Sequence, residues 1–243
     1  MVLRLKRCSY TPNAQEFDVN QAKAWVCPDN GRCETTNVFL HPMLLVTRLK
    51  CVRGERPLFS DVNLSLAKGA WVHVKGDNGV GKTSLLRLLA GLSQPATGEI
   101  FWQGKNIQSD AQAYRRDLFF LGHQDALKDD LSPLENLEYS SAIHGMVLNP
   151  AKAQAALHRS GLHGRAHLPV RTFSAGQKRR VMLARLAVSE AKLWILDEPF
   201  TALDVGAAQI LESLIAEHVS HGGAAIVTSH QAMHIPSGQV LQL

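Results

Sequence analysis

The sequence has little of what marks a membrane-spanning or secreted chain. No run approaches the about 18 consecutive apolar residues that a membrane-spanning helix needs. The nearest apolar stretch to the N-terminus, Val38 to Val46, is interrupted by His41 and Pro42, so it does not match the core of a secretory signal. These absences favour a cytoplasmic chain.

Cysteine and clustered charge are also scarce. The chain has four cysteines in 243 residues. The separation of Cys27 and Cys33 matches no common zinc pattern and no histidine partners stand at zinc spacing, so free thiols are expected. The net charge is +5, but apart from Lys178 to Arg180 the basic residues are scattered. A nucleic-acid partner is therefore not predicted.

The first 42 residues differ from the rest. Residues 1–42 hold three of the four cysteines and show neither a strand nor a helix period. They are interpreted as a disordered tail, an over-long assignment of the start codon, or a small additional subdomain. The working domain is expected to span 43–243, with a helical subdomain at about 125–180.

Strands and helices alternate after Met43, which predicts an α/β fold with a mostly parallel sheet and an antiparallel portion from the early strands. The sequence shows no internal repeat and no sustained heptad pattern. The predicted strands are Leu44–Leu49, Val62–Leu66, Trp71–Lys75, Ile100–Trp102, Leu118–Leu121, Leu193–Leu196, Ala224–Thr228 and Val240–Leu243. The predicted helices are Lys82–Ala90, a stretch that a Ser132–Glu135 capping box opens, Ala151–Ser160, Lys178–Ser189 and Val205–Val219.

One segment combines glycines with a lysine between a predicted strand and a predicted helix. It fits the pattern G-x-x-x-x-G-K-[ST], in which backbone N–H groups and a helix N-terminus converge on a phosphate. Lys82 would reach the β- and γ-phosphates of a nucleotide, and the Thr83 hydroxyl would bind Mg²⁺. The predicted phosphate-binding residues are Gly76, Asp77, Asn78, Gly79, Val80, Gly81, Lys82, Thr83 and Ser84.

Two carboxylates follow the apolar strand Leu193–Leu196. At the carboxyl end of a parallel strand, Asp197 and Glu198 would face the ligand crevice. Asp197 is predicted to hold Mg²⁺ through water, and Glu198 to polarise the attacking water as a general base.

A third motif narrows the class of phosphate-loop protein. Phe173-Ser174-Ala175-Gly176-Gln177 precedes a basic helix start. Together with the phosphate loop and the two carboxylates, it resembles the signature of ABC-type ATPases. The resemblance implies that Ser174, Gly176 and Gln177 cover the γ-phosphate bound by a second copy, so that two domains close head-to-tail around two ATP molecules. Ala175 stands where many members have glycine, which is tolerable if its φ is not positive.

The same resemblance assigns three further positions. Gln124 matches the glutamine loop that touches Mg²⁺ or water. Ala202-Leu203-Asp204 matches the loop that crosses the dimer interface, and His230 matches the histidine that holds the γ-phosphate. Many members stack adenine on an aromatic residue before the phosphate loop, but here that region reads Cys51 to Arg56. Arg53 could stack on the base or play no part, which leaves ATP versus GTP open.

Finer similarity points to one task. Leu121–Leu137, Phe173–Val181 and Leu193–Asp204 resemble the ATP-binding subunits of haem exporters of cytochrome c maturation, and the similarity runs from Met43 to the C-terminus. It implies an ATPase subunit at the cytoplasmic face of the inner membrane, with integral membrane permease subunits as partners and release of a haem-loaded chaperone as its work. The alternatives are the ATPase of another ABC transporter and a soluble nucleotide-switched binding protein.

Overall fold

The structure, a computed structural model, describes residues 24–26, 34–36, 42–122, 126–231, 233–236 and 238–243. The chain divides into two units, Met1–His41 and Pro42–Leu243. In the first unit, strand β1 (Ala24–Val26) pairs antiparallel with β2 (Glu34–Thr36). The interpretations offered for residues 1–42 stay predictions.

The second unit alternates strands and helices. Its strands are β3 (Leu44–Arg53), β4 (Arg56–Leu66), β5 (Trp71–Lys75), β6 (Thr97–Trp102), β7 (Lys105–Asn106), β8 (Leu118–Leu121), β9 (Leu193–Leu196), β10 (Ala224–Thr228) and β11 (Gly238–Gln242). Its helices are α1 (Lys82–Leu89), α2 (Ala111–Asp117), α3 (Pro133–Ile143), α4 (Pro150–Arg159), α5 (Ala175–Val188) and α6 (Val205–Ser220), with a 3₁₀ turn at Val170–Thr172.

A five-stranded sheet in the order β11-β5-β10-β9-β8 forms the core, and its paired strands are parallel. Every residue of β9 and β10 is buried, as expected for strands covered on both faces. A second sheet, in the order β4-β3-β6-β7, is antiparallel. Both parts of the predicted architecture are therefore confirmed. Because the carboxyl ends of parallel strands meet at one edge, the segments after β5, β9 and β10 lie along that edge.

Helices α3, α4 and α5 pack around an apolar cluster of their own, which includes Leu137, Leu157, Phe173 and Val181. The Ser132–Glu135 capping box that begins α3 is present as predicted. The limits predicted for a helical subdomain, 125–180, stay a prediction.

The prediction was wrong at two helix positions. Helix α5 begins at Ala175 rather than Lys178, because the Ser174 hydroxyl accepts from the Gln177 N–H and caps the helix earlier. Helix α2 was not predicted, since its one buried residue, Tyr114, gives no apolar period. That ring is anchored by a hydrogen bond that its hydroxyl donates to the Leu89 carbonyl.

No helix in the described part of the chain is long and apolar enough to cross a lipid bilayer.

The imidazole of His218 gives the fold a pH dependence. It stacks on Trp194 with ring centroids 4.0 Å apart, and its Nε2 lies 3.1 Å from the Ala224 carbonyl oxygen. Burial lowers the pKa of His218 to about 4 from 6.5. Below pH 6.5 the unfolded chain therefore binds a proton that the folded chain excludes, so stability is full above that pH and is lost as the pH falls.

We expect the free energy of unfolding to fall by up to about 3 kcal/mol between pH 6.5 and pH 4. Guanidinium unfolding at a series of pH values measures this slope. His218→Gln should flatten it, whereas His163→Gln, at an exposed position, should leave it unchanged. Equal slopes in wild type and His218→Gln would contradict the assignment.

Candidate nucleotide-binding and hydrolysis site

The loop between β5 and α1 is shaped by glycines. Gly79 has φ 83° and Gly81, which precedes the first residue of α1, has φ 114°. A Cβ on Gly81 would lie 3.1 Å from the Phe59 ring and 3.2 Å from the Leu58 Cβ, so a side chain there meets both strain and crowding. Among the described residues, no side chain caps α1. Its first-turn N–H groups are therefore available to an anion.

Lys82 is the first residue of α1, and its ammonium group is held against the loop. Its Nζ donates to the Gly76 carbonyl oxygen at 2.8 Å and to that of Asp77 at 3.1 Å. Thr83 and Ser84 follow in the first turn, where Thr83 is exposed. The structure thus brings the predicted residues 76–84 together in one strand–loop–helix unit, with the lysine charge held against the Gly76 and Asp77 carbonyls.

Asp197 lies at the carboxyl end of β9 and is 3 % exposed. Its Oδ1 accepts a hydrogen bond from the Thr228 hydroxyl at 2.8 Å. Its buried Oδ2 has no hydrogen-bond partner within the described residues. A buried carboxylate oxygen without a partner is costly unless a cation or water completes it, so Oδ2 is the atom to which a ligand would add.

Glu198 adopts a left-handed backbone conformation, with φ 49°. Such a conformation costs a non-glycine residue about 1–2 kcal/mol. Its side chain is 20 % exposed, and its Oε1 lies 3.5 Å from Nε2 of His230, which is 61 % exposed. At that separation the pair is at the limit of a hydrogen bond, and Oε1 makes none with the described residues. The structure therefore brings Glu198 and His230 together beside Asp197.

The signature segment lies at the N-terminus of α5. The Ser174 hydroxyl accepts from the Gln177 N–H at 3.3 Å, and the Gln177 side-chain oxygen accepts from the Ser174 N–H at 3.0 Å. No atom of the described residues lies within 4 Å of the position that a Cβ on Gly176 would occupy. Ala175 is not among the described residues with positive φ, so alanine meets the condition set for this position.

The signature segment and the phosphate loop belong to different parts of the second unit. Phe173, beside Ser174, packs in the α3–α5 cluster, whereas a Cβ on Gly81 would meet Leu58 and Phe59 of β4. The predicted residues therefore form two groups, one around the phosphate loop and the carboxylates and the other at the exposed start of α5.

The loop before α6 is tied to α5 by Arg180. Asp204 caps α6 by accepting from the Ala207 N–H, and it also accepts from the Arg180 guanidinium at 2.8 Å. The hydrogen bond from the Ala207 N–H contributes most to lowering the pKa of Asp204, and the hydrogen bond from Arg180 lowers it further. Arg180 also donates to the Ser160 carbonyl at the end of α4. The sequence marked Arg180 only as part of a basic run and gave no signal of this link.

Two predicted features remain open. Gln124 lies outside the described residues. Arg53 is opposite Arg56 at the exposed end of the β3–β4 hairpin, and Phe59 of the same hairpin lies where a Cβ on Gly81 would meet it. Stacking of Arg53 on a nucleobase stays a hypothesis.

A parallel sheet that ends in a glycine-rich phosphate loop, two carboxylates and a histidine, with a serine-capped signature helix beside it, defines a P-loop ATPase of the ATP-binding cassette class. The ABC transporter family model matches residues 59–201. The chain belongs to this family, as the resemblance implied, and it is an ABC-type ATPase that binds nucleotide.

Curated relatives match nearly their whole length. The chain is 47% identical over 204 residues to the cytochrome c biogenesis ATP-binding export protein CcmA of Albidiferax ferrireducens, covering 83% of this chain and 97% of the relative. It is 48% identical over 202 residues to the protein of the same name from Nitrosospira multiformis, covering 83% and 98%. For that of Escherichia coli O157:H7 the identity is 43% over 201 residues, covering 83% and 95%.

Solved structures share the fold. An ABC transporter ATP-binding protein from Pyrococcus furiosus superposes with a TM-score of 0.72 at 24% identity, covering 82% of this chain and 96% of that one. The dimeric bacterial ABC transporter cassette MJ0796 superposes with a TM-score of 0.72 at 23% identity, covering 83% and 94%.

Proposed function

We propose that this chain is the ATP-hydrolysing subunit of a membrane ABC complex for haem export in cytochrome c biogenesis, in which hydrolysis drives release of a haem-loaded chaperone. The observation that carries the proposal is the 47% identity over 97% of a cytochrome c biogenesis ATP-binding export protein. A match across nearly the whole relative supports a shared task, because it includes the residues between the ATPase motifs.

The phosphate loop binds the nucleotide. N–H groups of the loop and of the first turn of α1 donate to the phosphates, and Lys82 adds a charge-assisted contact. In the structure its Nζ already lies against the carbonyls of Gly76 and Asp77. In this proposal the ammonium group turns from these carbonyls to a bound phosphate.

The carboxylate edge fits Mg²⁺. Asp197 offers a buried, unpartnered Oδ2, and oxygen ligands of this kind suit a hard cation. Thr83 would supply a hydroxyl from α1, which packs on β9. Gln124 is proposed as a further ligand. When bound, Mg²⁺ neutralises the charge that develops on the transferred phosphoryl group.

Glu198 activates the attacking water. Its Oε1 lacks a hydrogen bond to the described residues, and a general base needs an oxygen that is free to accept from water. His230, 3.5 Å away, is exposed on the same edge and contacts the γ-phosphate in this proposal.

The second group of residues acts on another copy. Ser174 and Gly176 begin α5 at an open surface, and Gln177 completes the cap. In a head-to-tail homodimer, this helix N-terminus covers the γ-phosphate bound by the partner subunit. The Asp204 loop, tied to α5 by Arg180, would lie at that interface.

The complex would sit at the cytoplasmic face of the inner membrane through integral permease subunits. Exposed apolar side chains near the end of α3 offer a contact surface for them: Tyr139 at 45%, Ile143 at 65% and Val147 at 99% exposure. The glutamine loop and α3 would transmit closure of the dimer to the permease.

A deletion in the native organism tests this function. We expect loss of covalently haem-bearing c-type cytochromes, which a haem-stained gel of membranes measures. The wild-type chain should restore them and Lys82→Ala should not. Lys105→Ala, at an exposed lysine of β7, is the matched control and should restore them. Unchanged c-type cytochromes after deletion would overturn the haem assignment and leave the ABC assignment standing.

A further inference from the structure

Thr228 is the last residue of β10, and its side chain joins both acidic residues of the site. It is 0% exposed. Its hydroxyl donates to Oδ1 of Asp197 at 2.8 Å and accepts from the backbone N–H of Glu198, also at 2.8 Å. The Thr228 hydroxyl therefore donates its proton to the Asp197 carboxylate. With a lone pair it accepts from the backbone N–H of Glu198.

The hydrogen bond from the Glu198 N–H to the Thr228 hydroxyl acts on a strained backbone. Glu198 has φ 49°, and a non-glycine residue stays in such a region only where its surroundings hold it. The bond from the Glu198 N–H to Thr228 fixes the peptide on one side, and the bond from the Thr201 N–H to the Glu198 carbonyl, at 3.2 Å, fixes the other. Where the Glu198 side chain points depends on this conformation.

The hydrogen bond that the Thr228 hydroxyl donates orients the Asp197 carboxylate. Because Oδ1 is held by the Thr228 hydroxyl, the carboxylate plane is set and Oδ2 is left without a protein partner among the described residues. Thr228 is β-branched, so its χ1 is restricted in the strand and its hydroxyl is kept between its two partners.

The segment that follows Thr228 is anchored from the opposite side. His73 of β5 pairs with Val227 in the sheet, and its Nε2 lies 2.9 Å from the Ser229 carbonyl oxygen. Since a carbonyl only accepts, this nitrogen carries the proton. His73 is 5% exposed and precedes the phosphate loop on β5, so β5 carries both the start of the loop and the group that anchors the Ser229 carbonyl.

We infer that Thr228 is a positioning residue for ATP hydrolysis: its hydroxyl holds Glu198 in the left-handed conformation and aligns Asp197, without touching the nucleotide. The inference rests on the proposed function, in which Glu198 activates water. It goes beyond that function because it explains how the strained glutamate backbone is maintained.

Three variants of the full chain test the inference, assayed in the complex with its membrane partners. Thr228→Val keeps the shape and removes the hydroxyl, Thr228→Ser keeps the hydroxyl, and Thr97→Val changes an exposed threonine of β6 as a control. For Thr228→Val we expect kcat to fall on the order of 100-fold while KM for ATP stays within about threefold. Thr228→Ser and Thr97→Val should keep kcat within about threefold of wild type.

A merely structural role for Thr228 predicts a different result, namely a loss of folded protein with normal kcat per folded molecule. Near-normal turnover in Thr228→Val, or failure of Thr228→Ser to retain turnover, would overturn the inference. If the wild-type chain itself does not hydrolyse ATP, the proposed function fails instead.

A crystal structure of Thr228→Val decides the inference without any activity. We expect Glu198 to leave the left-handed region and the Asp197 carboxylate to rotate. Retention of φ near 49° at Glu198 would overturn the positioning role.

Discussion

Lys82→Ala should weaken nucleotide binding about 100-fold and abolish hydrolysis with it. The ammonium group lies 2.8 Å from the Gly76 carbonyl oxygen, at the start of the loop that holds the phosphates. Its removal takes away a charge-assisted hydrogen bond and a positive charge beside a highly negative ligand. We expect the free energy of ATP binding to fall by about 3 kcal/mol, which corresponds to about 100-fold weaker binding.

Titration calorimetry with ATP and a phosphate-release assay measure the two effects of Lys82→Ala. Lys105→Ala removes an exposed lysine and should leave both unchanged. If the variant keeps wild-type ATP affinity and loses only turnover, Lys82 acts on the transition state alone and the ground-state role is wrong.

Glu198→Gln should stop turnover while keeping the nucleotide. The amide has the shape of the carboxylate but cannot take a proton from water, and loss of a general base costs about 10²- to 10⁴-fold in rate. Because the phosphate loop and Lys82 are intact, ATP should still bind. A dimer that closes on ATP and reopens on hydrolysis should then accumulate.

Size-exclusion chromatography with and without ATP, combined with phosphate release, tests the Glu198→Gln result. We expect an ATP-dependent dimer in this variant and none in Lys82→Ala. Glu190→Gln removes an exposed carboxylate that pairs with Lys152 at 3.3 Å and should behave as wild type. Near-normal hydrolysis by Glu198→Gln would remove Glu198 from the role of general base.

The phosphate loop and the carboxylate strand could be predicted because each is encoded locally. Glycines at fixed spacing before Lys82, between a strand and a helix that are also readable locally, predict the loop. The apolar run of β9 predicts a buried strand. Asp197 and Glu198, which follow it, must then lie at the ligand edge of a parallel sheet.

Thr228 could not be found in this way. In the sequence it is the last residue of a predicted strand, where threonine is common. Its role arises only when β10 lies beside β9 and brings its hydroxyl between Asp197 and the Glu198 N–H. The same holds for Arg180, whose contacts with Asp204 and the Ser160 carbonyl join segments that are distant in the chain.

Helix boundaries depended on side-chain bonds that the hydrophobic pattern does not record. The reciprocal Ser174–Gln177 cap moves the start of α5 three residues before the predicted Lys178. Helix α2 has an Asp110 cap and a single buried tyrosine, so tertiary anchoring of Tyr114 rather than periodicity accounts for it.

The most direct test of the proposed function is purification of the complex that contains this chain. Because the Leu243 N–H donates to the Lys75 carbonyl beside the phosphate loop, an affinity tag belongs at the N-terminus. From detergent-solubilised membranes, we expect integral membrane proteins and a haem-bearing chaperone to co-purify, with ATPase activity that the Glu198→Gln complex lacks. Recovery of the chain alone from the soluble fraction, binding ATP without turnover, would contradict the proposal and favour a nucleotide-switched binding protein.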